Sequence, residues 1–351
     1  MYLNIPIEVL LVSPEASLQE VMQTIGRGNK QIALVVDEQR RLTGTITDGD
    51  IRRAILDDIP MTSVASEVAH TSFTVGSADL GHSEIFEILR SQKVRHLPLV
   101  DNGGVVVDLA WLSDLIESDD LGISAVVMAG GVGRRLKPLT DDIPKPLLPV
   151  GDRPLLEIIV QQLREAGIQK LHLATHHLEN QITEHFGDGS DFSVEISYLK
   201  EDLPMGTAGA LGLMEVRDQP LLVINGDILT NLDFRAMLEF HQDHQAVMTI
   251  AAKPFRVTVP YGVLETSGVS VTGVTEKPEL DFFVNAGIYL LSPEAQRGIP
   301  TGHKLDMTDL IKQLIDDGRP VISFPVQEYW LDIGDAEAYQ QAQADKRAGA
   351  V

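Results

Sequence analysis

The sequence predicts an α/β protein in two parts. Residues 1–120 read as a small α+β unit built twice (about 1–60 and 61–120), and residues 123–351 as one larger domain with a mixed, mainly parallel sheet. Three observations carry this. An internal repeat runs through the first part. A polar, glycine-ended run, Glu117-Ser118-Asp119-Asp120-Leu121-Gly122, separates the parts as a linker. Beyond it, apolar strands alternate with amphipathic helices, as in a sheet covered on both faces.

In the repeat, the apolar run 32–36 followed by 42–47 is echoed by 97–100 and 105–112. Val36-Asp37 aligns with Val100-Asp101, and Asp50 with Asp114, at one offset of 64. A helix precedes each strand pair: Leu18, Val21, Met22 and Ile25 share one face of the first, and Ile85, Phe86 and Leu89 one face of the second. A unit that small cannot bury its own apolar face and must pack on its copy.

The second part opens with a strand over 125–129. Leu155, Leu156, Ile159, Leu163 and Ala166 give a helix ended by Gly167, and a strand follows over 171–174. Residues 220–224 form a buried strand, 234–241 a helix, 246–252 another strand and 336–348 a terminal helix.

The first of these strands runs into Gly130-Gly131-Val132-Gly133-Arg134-Arg135-Leu136-Lys137-Pro138-Leu139-Thr140, then Pro144-Lys145-Pro146. Glycine has no Cβ and tolerates positive φ, so such a turn lets backbone N–H groups approach an anion closely. A dinucleotide fingerprint needs a third glycine where Leu136 stands, and a Walker loop needs glycine-lysine-serine/threonine, so spacing excludes both. A phosphate cradle with an arginine cluster and a lysine between two prolines remains, set against an ordinary strand-to-loop turn with surface charges.

The net charge of −23 argues against a nucleic-acid partner, because a polyanion is repelled by such a surface. It makes the cluster of Arg134, Arg135, Lys137 and Lys145 stand out as a basic island suited to anionic substrates. With no cysteine, disulfides, zinc-thiolate sites and cysteine nucleophiles are excluded. No apolar run reaches the roughly 18 residues of a membrane span, and no basic segment precedes the apolar start, so no membrane association and a cytoplasmic location are expected.

Two carboxylates follow later. Asp227 closes Val223-Ile224-Asn225-Gly226-Asp227 at the carboxyl end of a strand, where ligands of open α/β sheets gather, and Asp332 lies in Tyr329-Trp330-Leu331-Asp332-Ile333-Gly334. Two carboxylates with substrate phosphate oxygens are a usual way to hold Mg²⁺; an Asp after a strand is alternatively a helix cap. His176, His177 and His185 near Glu179 lack metal-site spacing and read as surface or packing residues.

The glycine loop and Pro144-Lys145-Pro146 resemble the signature of the sugar-1-phosphate nucleotidyltransferases, G-G-x-G-[ST]-R-[LM]-x-P-L-T followed by P-K-P. One position departs: Arg134 stands where the family has a small hydroxyl residue. Further segments resemble family motifs in the expected order: Gly206-Thr207-Ala208, Pro260-Tyr261-Gly262-Val263, Glu276-Lys277-Pro278 and Asn285-Ala286-Gly287-Ile288-Tyr289, with Asp227 and Asp332 at the acids of V-x-x-G-D and W-x-D-x-G. The resemblance implies a Rossmann-like nucleotidyltransferase domain in which the phosphate of a hexose 1-phosphate attacks the α-phosphorus of a nucleoside triphosphate. It implies Arg135 and Lys145 as catalytic residues, on the leaving pyrophosphate and the reacting phosphates. Ala129, Gly130, Gly131, Gly133, Gly206, Thr207 and Asn225 would contact the nucleotide; Glu276, Lys277, Asn285 and Gly287 the sugar phosphate; Asp227 and Asp332 the Mg²⁺. From the short run after Asp335, the C-terminal β-helix or acyltransferase domain of some relatives is not expected.

Residues 1–120 resemble a tandem pair of CBS modules. That resemblance implies an adenosine nucleotide held by a Ser/Thr on phosphate and an Asp on ribose, here Thr47 and Asp50, with Asp114 kept in the second copy but Trp111 at its Ser/Thr place. Alternatively, Thr47 and Asp50 cap the helix beginning near Ile51, and the pair serves as a dimerisation platform. The combined arrangement resembles guanylyltransferases acting on glucosamine 1-phosphate or a similar hexose 1-phosphate, with mannose or glucose 1-phosphate open, and a homo-oligomer is expected. A second reading is a catalytically weak nucleotide-sensing subunit.

Overall fold

The computed structural model describes residues 5–112, 120–201 and 203–350. The chain forms two compact units, residues 1–119 and 120–351.

In the first unit, β1 (Leu11–Val12), β2 (Ile32–Val36) and β3 (Leu42–Thr47) form one sheet, and β4 (Gly76–Ser77), β5 (His96–Val100) and β6 (Val106–Trp111) another. In each, the first pair is parallel and the second antiparallel. The repeat is exact at the level of register: Val35 faces Gly44 and Leu99 faces Asp108, both 64 on (99 − 35 and 108 − 44), and each ladder breaks register at the following residue. Arg41 bridges to Val105, its own equivalent (105 − 41 = 64), so the copies meet across a local two-fold. Ile32, Leu34 and Val36 of one copy share a cluster with Val106 and Leu109 of the other, burying the face that neither could cover alone. The helix Leu18–Gly28 opens with a capping box in which Ser17 and Glu20 satisfy each other's N–H groups. His82–Ser91 is its counterpart, with Ile85 and Leu89 buried.

In the second unit the strands are β7 (Ser124–Met128), the short pair β8 (Pro149–Val150) and β9 (Arg153–Pro154), β10 (Lys170–Thr175), β11 (Glu195–Lys200), β12 (Leu221–Asn225), β13 (Ile228–Thr230), β14 (Met248–Thr258), β15 (Gly262–Ser267), β16 (Ser270–Glu276), β17 (Glu279–Leu291), β18 (Val321–Pro325) and β19 (Trp330–Asp332). Seven build the central sheet in the order β11-β10-β7-β12-β17-β14-β18. Only β17 of these runs against the rest. Both faces are apolar: Ala125 and Val127 of β7, with Leu222 and Ile224 of β12, pack under the helices Leu155–Glu165 and Phe234–Asp243. Val126 and Val223 face the opposite core, with the helix Met307–Asp316. This two-sided burial explains why the strands read as continuous apolar runs rather than alternations.

From β7 the chain moves outward through β10 to β11, then returns to β12 on the other side of β7. The order reverses between β7 and β12, and the crevice at their carboxyl ends is where such a sheet accepts a ligand. Beyond the sheet, β14 and β17 continue as a paired arm that carries the β15–β16 hairpin. The arm is exposed from Phe255 to Phe283 on most of its residues.

Candidate active site

Ala129 to Gly133 leave β7 at that crevice. Ala129 donates its N–H to Ala174 O on β10, which ends the ladder. The N–H groups of Gly130, Gly131, Val132 and Gly133 donate to no other described residue. Gly133 takes φ +65°, and a Cβ there would come within 2.9 Å of Thr140 Cγ2, so glycine is required for both conformation and space. Thr140 in turn donates from Oγ1 to Gly133 O and ties the loop closed.

A 3₁₀ turn, Arg134–Leu136, follows. Leu136 is buried and anchors it, and with three residues per turn Arg134 and Arg135 project away from that anchor. Both line a cavity of about 200 Å³ with Gly131, Gly133, Lys145, Gly226, Asp227 and Gly334. Neither guanidinium makes an ion pair or hydrogen bond among the described residues. Gly334 packs against Arg135, where an added Cβ would stand 3.2 Å from its terminal nitrogen. Lys145, only 8% exposed, donates from Nζ to Asp227 Oδ2 at 2.5 Å.

No helix follows Asp227, which sits in the turn between β12 and β13. β13 pairs with β19, setting Ile228 opposite Asp332, and Ile333 N–H donates to Asp227 O. The carboxyl of Asp332 is pushed above the usual aspartate range, by burial first and by the Asp227 charge next; Lys145 and Arg135 pull it back. Asp227 and Asp332 are the two carboxylates here that would hold a divalent cation, which would relieve the repulsion between them.

Asn225, at the end of β12, lies against Gly287 of β17, whose φ is +71° and whose Cβ would meet Asn225 Nδ2 at 2.6 Å. Asn285 Oδ1 accepts from Gly287 N–H, and Trp330 Nε1 donates to Ala286 O. Asn225, Asn285, Gly287 and the β19 strand thus form a second cluster next to the carboxylates. Gly130 backs onto His176, whose Nδ1 bonds to Glu201 O, and Glu201 Oε2 accepts from Met205 N–H. The Gly206-Thr207 turn follows. Thr207 N–H donates to Asp306 Oδ1, and Thr207 Oγ1 accepts from Met307 N–H, so this hydroxyl closes the start of the helix Met307–Asp316. Asp202 lies outside the described residues.

Glu276 and Lys277 do not line the cavity. They are exposed on the arm, where Lys277 N–H donates to Tyr261 O. The residues that sequence reasoning left without a role are Gly334 and Gly226, while His176, read as a surface or packing residue, packs against Gly130. The first two sit inside quoted motifs, but their packing against Arg135 and Met128 depends on strands far apart in the chain. His185 is a packing residue against Phe186 and Phe192. No three His, Asp or Glu side chains form a metal-binding group among the described residues.

In the first unit, Thr47 and Asp50 make a capping box at the start of the helix Asp48–Leu56. Asp50 is 4% exposed; its Oδ2 accepts from Thr47 N–H and Oγ1, and its Oδ1 pairs with Arg53 and with His70 Nε2. Burial pushes its carboxyl up, but the bonds from Thr47 and His70 outweigh this and hold it below the usual range. In the second copy Trp111 stacks on His96 with Lys30 Nζ 4.9 Å from the indole centroid. Burial first, then the charges of Arg95 and Lys30, push His96 down to about 4. Asp114 lies outside the described residues.

A family model described as nucleotidyl transferase matches residues 124–349, and a CBS domain model matches residues 6–57. The chain is 33% identical over 247 residues to a UTP–glucose-1-phosphate uridylyltransferase of Synechocystis, covering 63% of this chain and 62% of that protein. It is 31% identical over 231 residues to a mannose-1-phosphate guanylyltransferase of Mycobacterium tuberculosis, covering 64% of each. The chain thus spans just under two thirds of the length of these curated relatives. A solved structure of a candidate glucose-1-phosphate thymidylyltransferase from Bacillus anthracis, in complex with sucrose, superposes with a TM-score of 0.52 at 26% identity, covering 64% of this chain and 95% of that one. No helix among the described residues is long and apolar enough to cross a membrane.

Proposed function

This chain belongs to the nucleotidyl transferase family, with a CBS domain at its N-terminus, and from that premise we propose that it is a sugar-1-phosphate nucleotidyltransferase. It moves a nucleoside monophosphate from a nucleoside triphosphate, GTP favoured, onto a hexose 1-phosphate such as glucosamine 1-phosphate, releasing pyrophosphate. The observation that carries this reading is the cradle: N–H groups from Gly130 to Gly133 and two guanidiniums that make no hydrogen bond or ion pair among the described residues, with a buried lysine, gathered in one cavity of a strongly acidic chain. Unused donors and unpaired cations at a switch point suit a polyphosphate.

Two anions must meet in line, so most of the work is positioning and charge neutralisation. The loop N–H groups and Arg135 hold the β- and γ-phosphates and stabilise the pyrophosphate as it leaves. Lys145 approaches the reacting phosphates from the cavity floor, where Asp227 fixes its ammonium. Asp227 and Asp332 would hold a Mg²⁺, which supplies charge neutralisation at the α-phosphate when bound. Asn225, Asn285 and Gly287 orient the sugar and nucleoside beside that point. Lys277 and Glu276 reach the sugar 1-phosphate from the arm. The guanylyltransferase relative supports GTP; mannose 1-phosphate and glucose 1-phosphate are the other acceptors that the relatives suggest.

An adenosine nucleotide at Thr47 and Asp50 would have to displace the bonds Asp50 already makes, which favours the capping role in this conformation. The deciding experiment is pyrophosphate release with Mg²⁺, crossing four nucleoside triphosphates with glucosamine, mannose and glucose 1-phosphates. Release that requires one pair supports the proposal and names the substrates; no release with any pair from folded protein refutes it.

A further inference from the structure

We infer that Arg134 is a second pyrophosphate-binding arginine, holding the terminal phosphate of the nucleoside triphosphate; this rests on the nucleotidyl-transfer reading above. The position is one where the sequence resemblance calls for a small hydroxyl residue, and of the two arginines the mechanism above places only Arg135 on named phosphates. The 3₁₀ turn places it. With Leu136 buried and three residues per turn, the other two positions flank the anchor, and both open onto the same cavity.

The charges around it point to a ligand rather than to a protein partner. The acid nearest along the loop, Asp141, is already paired with Lys137 at 2.9 Å. Asp227, within the cavity, is paired with Lys145. Arg134 therefore has no ion pair among the described residues, in a chain with 51 acidic side chains and 28 basic ones. Two consecutive guanidiniums without an ion pair among the described residues carry positive charge that a multiply charged anion between them would neutralise.

Depth sets which phosphate each cation meets. Lys145 is buried at the floor beside Asp227, where the reacting α-phosphate belongs. Arg135 is braced by Gly334. Arg134 and Arg135 are both exposed, in contrast to buried Lys145, so both meet the phosphates away from the reacting centre, Arg134 the terminal one. A hydroxyl in its place could donate one short bond; a guanidinium adds charge and a two-pronged donor.

The test measures binding of inorganic pyrophosphate and of nucleoside monophosphate to the full chain by calorimetry, in wild type, Arg134→Ser and Arg134→Lys, beside KM for the triphosphate. Arg134→Ser should weaken pyrophosphate about 10-fold and raise the triphosphate KM similarly, leaving monophosphate affinity within about twofold; Arg134→Lys should fall between. Unchanged pyrophosphate affinity in Arg134→Ser, or an equal loss for monophosphate, overturns the assignment, as does a wild type that binds no pyrophosphate. A wild type that binds pyrophosphate through Arg134 yet turns over no substrate pair would refute the nucleotidyl-transfer reading while leaving the arginine's phosphate contact intact.

Discussion

Two loops in this molecule carry the same kinds of residue, a strand end with small residues, hydroxyls and charges, and they resolve in opposite ways. At Thr47 to Arg53 the hydroxyl and the charged side chains find partners within the fold: the hydroxyl caps a helix, Asp48 pairs with Arg52, and the buried Asp50 carboxylate accepts from Thr47, Arg53 and His70. At Gly130 to Arg135 the groups are left over among the described residues: N–H donors without acceptors, and guanidiniums without an ion pair or hydrogen bond. Folding free energy favours satisfied polar groups, so a cluster held unsatisfied at a sheet's switch point is kept for something that binds. The comparison separates a structural cap from a reactive site where residue type alone could not.

The largest effect that would sharpen the contrast is at the cradle. Lys145→Ala should lower kcat for pyrophosphate release on the order of 100-fold or more, the scale of losing one pre-organised charge at a reacting oxyanion. Steady-state kinetics read it, and an effect confined to sugar KM would contradict the role. Next in size, Asp50→Asn should destabilise the N-terminal unit by about 1–3 kcal/mol at neutral pH, the scale of lost hydrogen bonds to a buried charged group. Because the Asp50 carboxyl is held below its unfolded value, its stabilisation is complete above about pH 4 and is lost as pH falls through the depressed value. Thermal unfolding across pH 2.5–7 should therefore show a loss of stability on the acid side in wild type that is smaller in the variant. A loss that grows instead as pH rises would break the assignment. The smallest effect is Thr47→Ala, about 1 kcal/mol of cap energy read by the same melts. If instead either first-unit variant abolished turnover while leaving its melt unchanged, the contrast between the two loops would fail.

Much of this was legible in the sequence. The offset of 64 carries through to the bulge that follows Val35 and Leu99, because register in a buried ladder is set by the same alternation that makes the repeat visible. The glycine loop, Lys145 and Asp227 line one cavity, and Asp332 feels the charges of Asp227 and Lys145, because topology brings these segments together at the strand ends. What stayed hidden depended on partners distant in the chain. Thr207 accepts from Met307, and Trp111 stacks on His96 with Lys30 over its ring; no local pattern announces either. The strand over 246–252 runs on to Thr258 because β17 pairs with it beyond the sheet, where apolar periodicity gives no signal of burial.

The measurement that bears most directly on the cradle as the seat of nucleotidyl transfer is the rate of pyrophosphate release by the full chain, wild type beside Arg135→Ala, with GTP, Mg²⁺ and the accepted sugar 1-phosphate. Release that depends on both substrates and falls by about 100-fold in the variant, with the melting temperature preserved, is the predicted result. Equal rates in the two proteins would contradict the account.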